Sequence, residues 1–214
     1  MRLVIPRLYV ILDAALMTES AEDTARKLLD AGVQLLQYRD KTANARELLA
    51  EATVLSAFAR GASAMLFVND RPDVAYLAGA SGVHLGQQDL SAEQARLLIG
   101  PDRWVGISTH NEPQFTLAAA TSADYIAVGP VFTTKTKLNP DPVAGLQLIR
   151  RARQLTSKPI VAIGGITLEH AAEVIEAGAD SVAVISDILR DADPPRRAKQ
   201  FIHQLEAVNP PASH

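Results

Sequence analysis

The segment IAVGPVFTTKTK, Ile126–Lys137, runs from small and branched apolar residues through Gly129-Pro130 into Thr133, Thr134, Lys135, Thr136 and Lys137. Ile126, Ala127 and Val128 suit a buried strand. Hydroxyls and ammonium groups packed just past such a strand can bind an anion, with loop N–H groups as further donors. A solvated turn would use the same residues, so this segment alone decides nothing. Three more clusters share its character. Gln37, Arg39 and Lys41 alternate along one extended stretch and share a face. They would set a guanidinium and an ammonium side by side, which suits a pyrophosphate. The competing reading pairs both cations with Asp40 or nearby carboxylates. Asp70 and Asp89 each read singly as a helix cap, Asp70 before Pro72 and Asp89 ahead of Ser91. Together, beside Arg39 and Lys41, they point to Mg²⁺, which takes few protein ligands and keeps water or phosphate oxygens. Gly164-Gly165 with Ile185-Ser186 forms either a second anion site, where glycine lets a phosphate approach the backbone, or a tight turn.

These clusters must be positioned by the elements around them, and those elements repeat. Apolar runs at Leu8–Leu12, Val33–Tyr38, Ala64–Val68, Val83–Leu85, Trp104–Ile107, Tyr125–Val128, Pro159–Ile163 and Ser181–Ile185 alternate with helical segments. The helices are expected over Glu19–Ala31, Ala43–Arg60, Pro72–Ala78, from Ser91, over Glu112–Ala120, up to Gln154, over Leu168–Ala177 and over Pro195–Ala207. Gly32, Gly79 and Gly178 each follow an alanine at a helix end, where a left-handed glycine can stop the helix. A unit of about 27 residues fits one strand, one helix and two short loops. Eight such units predict a single-domain α/β protein, a (β/α)8 TIM barrel over 1–208, with 209–214 a frayed tail. An open doubly wound sheet is the structural alternative, but no Gly-x-Gly-x-x-Gly follows the first strand. In a barrel the active site lies where strands end and helices begin. Every cluster above falls at such an end, as do Asn69, Ser108 and His110.

Bulk properties narrow the function. The chain has 214 residues, 48% hydrophobic and 21% charged, enough for a sizeable core. A net charge of -3 without a basic block argues against nucleic acid. The absence of cysteine excludes a disulfide framework and a thiolate zinc site. Pro6, Arg7 and Asp13 interrupt the apolar N-terminus, so neither a signal peptide nor a membrane span is expected, and a cytoplasmic location follows. The five histidines lack metal spacing, and there is no nucleophile elbow. His84, inside a strand, reads as structural.

Taken in order, QYRDK (Gln37–Lys41), VND (Val68–Asp70), GVHLGQQD (Gly82–Asp89), GIST (Gly106–Thr109), GPVFTTKTK (Gly129–Lys137), AIGGI (Ala162–Ile166) and VIS (Val184–Ser186) resemble the thiamine-phosphate synthase family. The resemblance runs from about Leu8 to Leu189. It implies a (β/α)8 transferase of thiamine biosynthesis, with small phosphorylated substrates and Mg²⁺ as cofactor. The reaction it implies joins 4-amino-2-methyl-5-hydroxymethylpyrimidine diphosphate to a thiazole phosphate, giving thiamine phosphate and pyrophosphate. By motif position, Gln37, Arg39, Lys41, Asn69, Ser108 and Lys137 would hold the pyrimidine diphosphate. Asp70 and Asp89 would hold the metal. Thr134, Thr136, Gly165, Ile185 and Ser186 would bind the thiazole phosphate. One departure is Thr133, where the family usually has proline, which bears on loop stiffness and removes no ligand.

The resemblance also implies a dissociative substitution in which pyrophosphate leaves before the thiazole nitrogen attacks. Arg39, Lys41, Ser108 and Lys137 would then act on the departing anion. Two alternatives remain at this stage. One is a thiazole tautomerase-like isomerase on the same fold, which would lack the diphosphate and metal residues. The other is a non-catalytic phosphate-ligand-binding barrel. The sequence is compatible with a homo-oligomer, and the length of the Thr133–Pro142 segment predicts a loop that closes over substrate.

Overall fold

The computed structural model describes residues 3–134 and 142–208. Lys135, Thr136, Lys137, most of the segment expected to close, and the expected tail lie outside the described residues. Eight parallel strands close into a barrel in chain order. They are β1 (Leu8–Asp13), β2 (Leu35–Arg39), β3 (Met65–Asn69), β4 (Gly82–Leu85), β5 (Trp104–Thr109), β6 (Tyr125–Val128), β7 (Ile160–Ile163) and β8 (Ser181–Val184). The outer helices are α1 (Ala21–Asp30), α2 (Ala45–Gly61), α3 (Pro72–Leu77), α4 (Ala92–Ile99), α5 (Glu112–Ala119), α6 (Gly145–Leu155), α7 (Leu168–Glu176), α8 (Ser186–Leu189) and α9 (Pro194–Glu206). The expected elements are all present, with ends shifted by a residue or two, as helix and strand ends commonly are. The four-residue α8 lies outside the expected helical segments.

Both strand faces are apolar because both are covered. On β1, Leu8, Val10 and Leu12 pack outward into the main core beneath the helices. Tyr9 and Ile11 point into the barrel, with Leu35, Phe67, Tyr125, Ala127, Val161 and Ala183. Tyr9, Phe67 and Tyr125 meet edge to face, with ring centroids 5.6 to 6.2 Å apart. This geometry suits the ring quadrupoles.

Local signals set the helix starts. Ser20 caps α1, and Asn44 and Ser91 form capping boxes with Glu47 and Gln94. Gly32, Gly79 and Gly178 take positive φ at the helix ends, as their spacing predicts. The end of the barrel where strands begin is held by two similar acidic clamps. Asp124 accepts from Val105 N–H at 2.7 Å and pairs with Arg96. Asp180 accepts from Ile160 N–H at 2.7 Å and from Arg153 at 2.8 Å. Each carboxylate precedes one strand, bonds the strand before it, and takes an arginine from the helix that leads into that earlier strand, α4 or α6.

Candidate active site

At the opposite end the strand termini surround a cavity of about 630 Å³. Gln37, Arg39, Lys41, Asn69, Asp70, Asp89, Ser108, Thr134, Gly165, Ile185 and Ser186 all line it. Thr136 and Lys137 fall outside the described residues, so every predicted site residue that is described stands at one mouth.

The β2–β5 side is charged. Arg39 ends β2 and pairs with Asp13 at the end of β1, in register beside it. Lys41 follows β2 and pairs with Asp70. The two cations therefore rest on separate nearby carboxylates. Asp40 takes neither; its Oδ1 accepts from Thr42 N–H, Thr42 Oγ1 and Ala43 N–H and shapes the loop. Asp70 is one of two non-glycine residues described at positive φ, +62°. That costly conformation aims its N–H at the His84 carbonyl, 2.8 Å away. Arg71, not Asp70, occupies the N-cap of α3, and Ser91, not Asp89, caps α4. Both capping readings are therefore excluded. Asp89 instead accepts from Gly86 N–H at 2.7 Å. Burial, and then the Asp70 carboxylate beside it, push Asp89 above the ordinary carboxylate value.

The β7–β8 side is built from backbone. Gly164 and Gly165 have φ of +97° and +67°. A Cβ on Gly165 would stand 2.5 Å from the Thr133 carbonyl oxygen, so the loop after β7 closes only with glycine. No side chain caps α8, whose N-cap is Ile185. Asp187 accepts from Leu168 N–H at 3.1 Å and Arg197 Nε at 3.0 Å, tying α8 to the start of α7 and to α9. Arg39 and Lys41 are the only Arg or Lys among the described residues lining the cavity, and both stand on the opposite side.

The floor joins predicted residues to polar groups outside the predicted set, Asp13, Tyr9 and Tyr125. Asp13, 3% exposed, was missed although it is the first charge after five apolar residues of a strand. Gln37 is buried and donates from Nε2 to Tyr9 Oη at 2.8 Å. Tyr9 and Tyr125 hydroxyls meet at 3.2 Å. His84 bonds Tyr125 Oη through Nδ1 and Ser108 Oγ through Nε2, each at 2.8 Å. His84 is thus a strand residue that also lines the cavity. His110 holds the Gly129 carbonyl through Nδ1 at 2.6 Å.

The thiamine monophosphate synthase family model matches residues 8–188. The thiamine-phosphate synthase of Koribacter versatilis is 50% identical over 208 residues, covering 95% of this chain and 97% of that protein. That of Chlorobium phaeovibrioides is 42% identical over 182 residues, covering 85% and 87%. Thiamine phosphate pyrophosphorylase from Pyrococcus furiosus superposes with a TM-score of 0.85 at 34% identity, covering 94% of this chain and 95% of that one. No described helix is long and apolar enough to cross a membrane. On the family match and these identities, the chain belongs to the thiamine monophosphate synthase family.

Proposed function

We propose that the cavity performs the thiamine-phosphate synthase reaction with 4-amino-2-methyl-5-hydroxymethylpyrimidine diphosphate and a thiazole phosphate as substrates. The observation that carries this reading is the electrical asymmetry of one cavity. A diphosphate carries more charge than a phosphate monoester and needs the side with Arg39 and Lys41. The monoester suits the glycine-lined backbone at Gly165 and α8, where N–H groups can supply the donors. Gln37, Asn69 and Ser108 would hold the diphosphate substrate between those cations and the barrel floor. Thr134, Ile185 and Ser186 would hold the other, with Lys137 and Thr136 assigned by motif position alone.

The donor set also suits a divalent cation. Among the described residues no three histidine or acidic side chains gather as a ligand cluster. Asp70 and Asp89 offer two hard oxygen donors, and an ion held by two carboxylates would take its remaining ligands from water and phosphate, the habit of Mg²⁺. Lys41 on Asp70 shows that this position already favours positive charge. Mg²⁺ bound by Asp70 and Asp89 would neutralise charge on the diphosphate.

In the substitution, the bond between the pyrimidine methylene carbon and the diphosphate oxygen breaks, and its electron pair leaves on pyrophosphate. The thiazole nitrogen supplies the pair for the new C–N bond. Charge on the leaving oxygens rises as that bond stretches, so Arg39, Lys41 and the Ser108 hydroxyl stabilise the transition state more than the bound ester. No side chain has to act as nucleophile or base. This ordering favours departure before attack.

Incubation with both substrates and Mg²⁺, followed by oxidation and fluorescence detection of thiamine phosphate, tests the reading. Product that disappears on chelation and returns with Mg²⁺ is expected. No product under any divalent metal would refute the synthase reading and leave the isomerase or the binding barrel.

A further inference from the structure

Five side chains link the two halves of the cavity floor: Gln37, Tyr9, Tyr125, His84 and Ser108. The line passes beneath the cavity, through the aromatic layer. Tyr9 and Tyr125 are 1% and 0% exposed. Burial pushes both phenols above their ordinary value, so both keep their protons.

Four bonds joining five groups need four hydrogens, one each. A phenol has one hydrogen, and so does neutral imidazole. With Gln37 donating from Nε2, Tyr9 must pass its hydrogen to Tyr125, and Tyr125 must pass its own to His84 Nδ1. His84 then carries hydrogen on Nε2 and donates to Ser108 Oγ. Any other order with that amide would leave the Tyr9 or the Tyr125 hydrogen buried without an acceptor. Reversing the whole line requires turning the Gln37 amide and aims the Ser108 hydrogen at His84. With an anion held in the cavity that Arg39 and Lys41 line, a Ser108 lone pair would face that anion. A bound anion therefore selects the first direction.

We propose that Tyr9, Tyr125 and His84 are positioning residues that form a one-way hydrogen-bond relay, fixing the Ser108 hydroxyl as a donor toward the diphosphate. The relay also leaves Gln37 with its carbonyl oxygen as the group able to accept from a ligand. Neither tyrosine lines the cavity, so both act through their neighbours. The proposal rests on the synthase reading for the identity of the anion, but the direction of the relay can be measured without turnover.

The primary experiment is ¹⁵N NMR of the uniformly labelled full chain with inorganic pyrophosphate bound, with the His84 signals identified by their loss in His84→Gln. Hydrogen on Nε2 with Nδ1 bare is the expected result. Hydrogen on Nδ1, or on both nitrogens, overturns the relay. The second arm is Tyr125→Phe, which keeps the ring and removes the hydroxyl. Its kcat/KM for the pyrimidine diphosphate should fall about tenfold, the scale of one hydrogen bond to a charged group. Its KM for the thiazole phosphate should stay within about twofold. His84→Gln, whose amide can still donate to Ser108, should retain more activity than His84→Leu. A Tyr125→Phe enzyme that folds and loses less than about twofold also overturns the relay. If Tyr125→Phe fails to fold, the wild-type tautomer decides. Absence of product from the wild type would sink the synthase reading alone, and the relay would be judged by the tautomer.

Discussion

Gly106→Ala should cost this protein far more than a surface Gly→Ala exchange, for a reason that lies on the next strand, where Tyr125 stands in register with it. A Cβ on Gly106 would stand 2.0 Å from Tyr125 Cζ, 2.3 Å from Cε1 and 2.4 Å from the hydroxyl. Ordinary carbon contact begins near about 3.5 Å, so the ring would have to move by roughly 1.5 Å. It has nowhere to go. Phe67 and Tyr9 abut it edge-on, and His84 stacks on it with centroids 5.6 Å apart. Overpacking alone costs about 1–3 kcal/mol. Displacing the hydroxyl from Tyr9 and His84 adds about 0.5–1.5 kcal/mol for each hydrogen bond. The total, about 2–6 kcal/mol, corresponds to a Tm about 4–24 °C lower for a domain of this size. Thermal unfolding followed by circular dichroism checks the magnitude, and a double-mutant cycle checks the cause. In a Tyr125→Ala background the clash is gone, so Gly106→Ala should add little. An equal penalty in both backgrounds, or a Tm within about 2 °C of wild type, would refute the steric account.

Arg39→Ala and Lys41→Ala should each lower kcat at saturating substrate, by about 2–4 kcal/mol of barrier stabilisation; Lys41→Ala should leave Tm nearly unchanged, while Arg39→Ala should also lower it, because buried Asp13 loses its cation. Full turnover in both would remove these cations from the reaction. Asp124→Ala should act in the opposite way. It leaves the Val105 N–H and Arg96 short of an acceptor at the far end of the barrel, lowering stability by about 1–3 kcal/mol in urea titrations with kcat unchanged. Glu51 offers a pH test away from the cavity. One of its carboxylate oxygens is buried without a described partner, and burial, then Glu22, raise its pKa. A folded pKa above the unfolded one gives stability that is present below the unfolded pKa and lost as pH rises through the folded one. Glu51→Gln should therefore be more stable than wild type at pH 7, and the gap should close as pH falls below the carboxylate range. A gap that persists at acid pH would show that ionisation is not its cause.

How much of this could be read in the chain depends on the range over which each signal acts. Strand order, helix starts and the rim residues follow from local features: an apolar run, a cap, a glycine, a polar residue at the strand end. Arg39, Asp70 and Asp89 were legible because each stands at or just past the end of a run, and Gln37 because it shares a face with Arg39 and Lys41. What stayed hidden depends on pairs distant in the sequence. Whether Arg39 pairs with Asp40 or Asp13 is settled only by the β1–β2 register, which sets Asp13 beside Arg39. Asp70 and Asp89 each suit a cap by residue type when taken singly, and only the backbone shows Arg71 and Ser91 in those places.

The interior tyrosines show why a barrel floor is hard to read from residue type. Tyr9 and Tyr125 sit in apolar runs and look like ordinary core residues, and His84 in its strand looks structural. Each reading is correct for the ring and incomplete for the polar atom. A buried hydroxyl must find a partner, and inside a closed barrel the only partners are other inward-facing side chains. With Gln37 and Ser108 at the two ends, satisfying the core's own polar atoms also orients groups at the mouth. Packing and function then make the same demand on Gly106: the aromatic layer needs no side chain there, and the relay needs the Tyr125 ring that fills the space. A substitution that kept the barrel stable by shrinking Tyr125 would still be expected to lower kcat/KM for the diphosphate substrate. That separation of Tm from kcat/KM distinguishes a relay from a mere core.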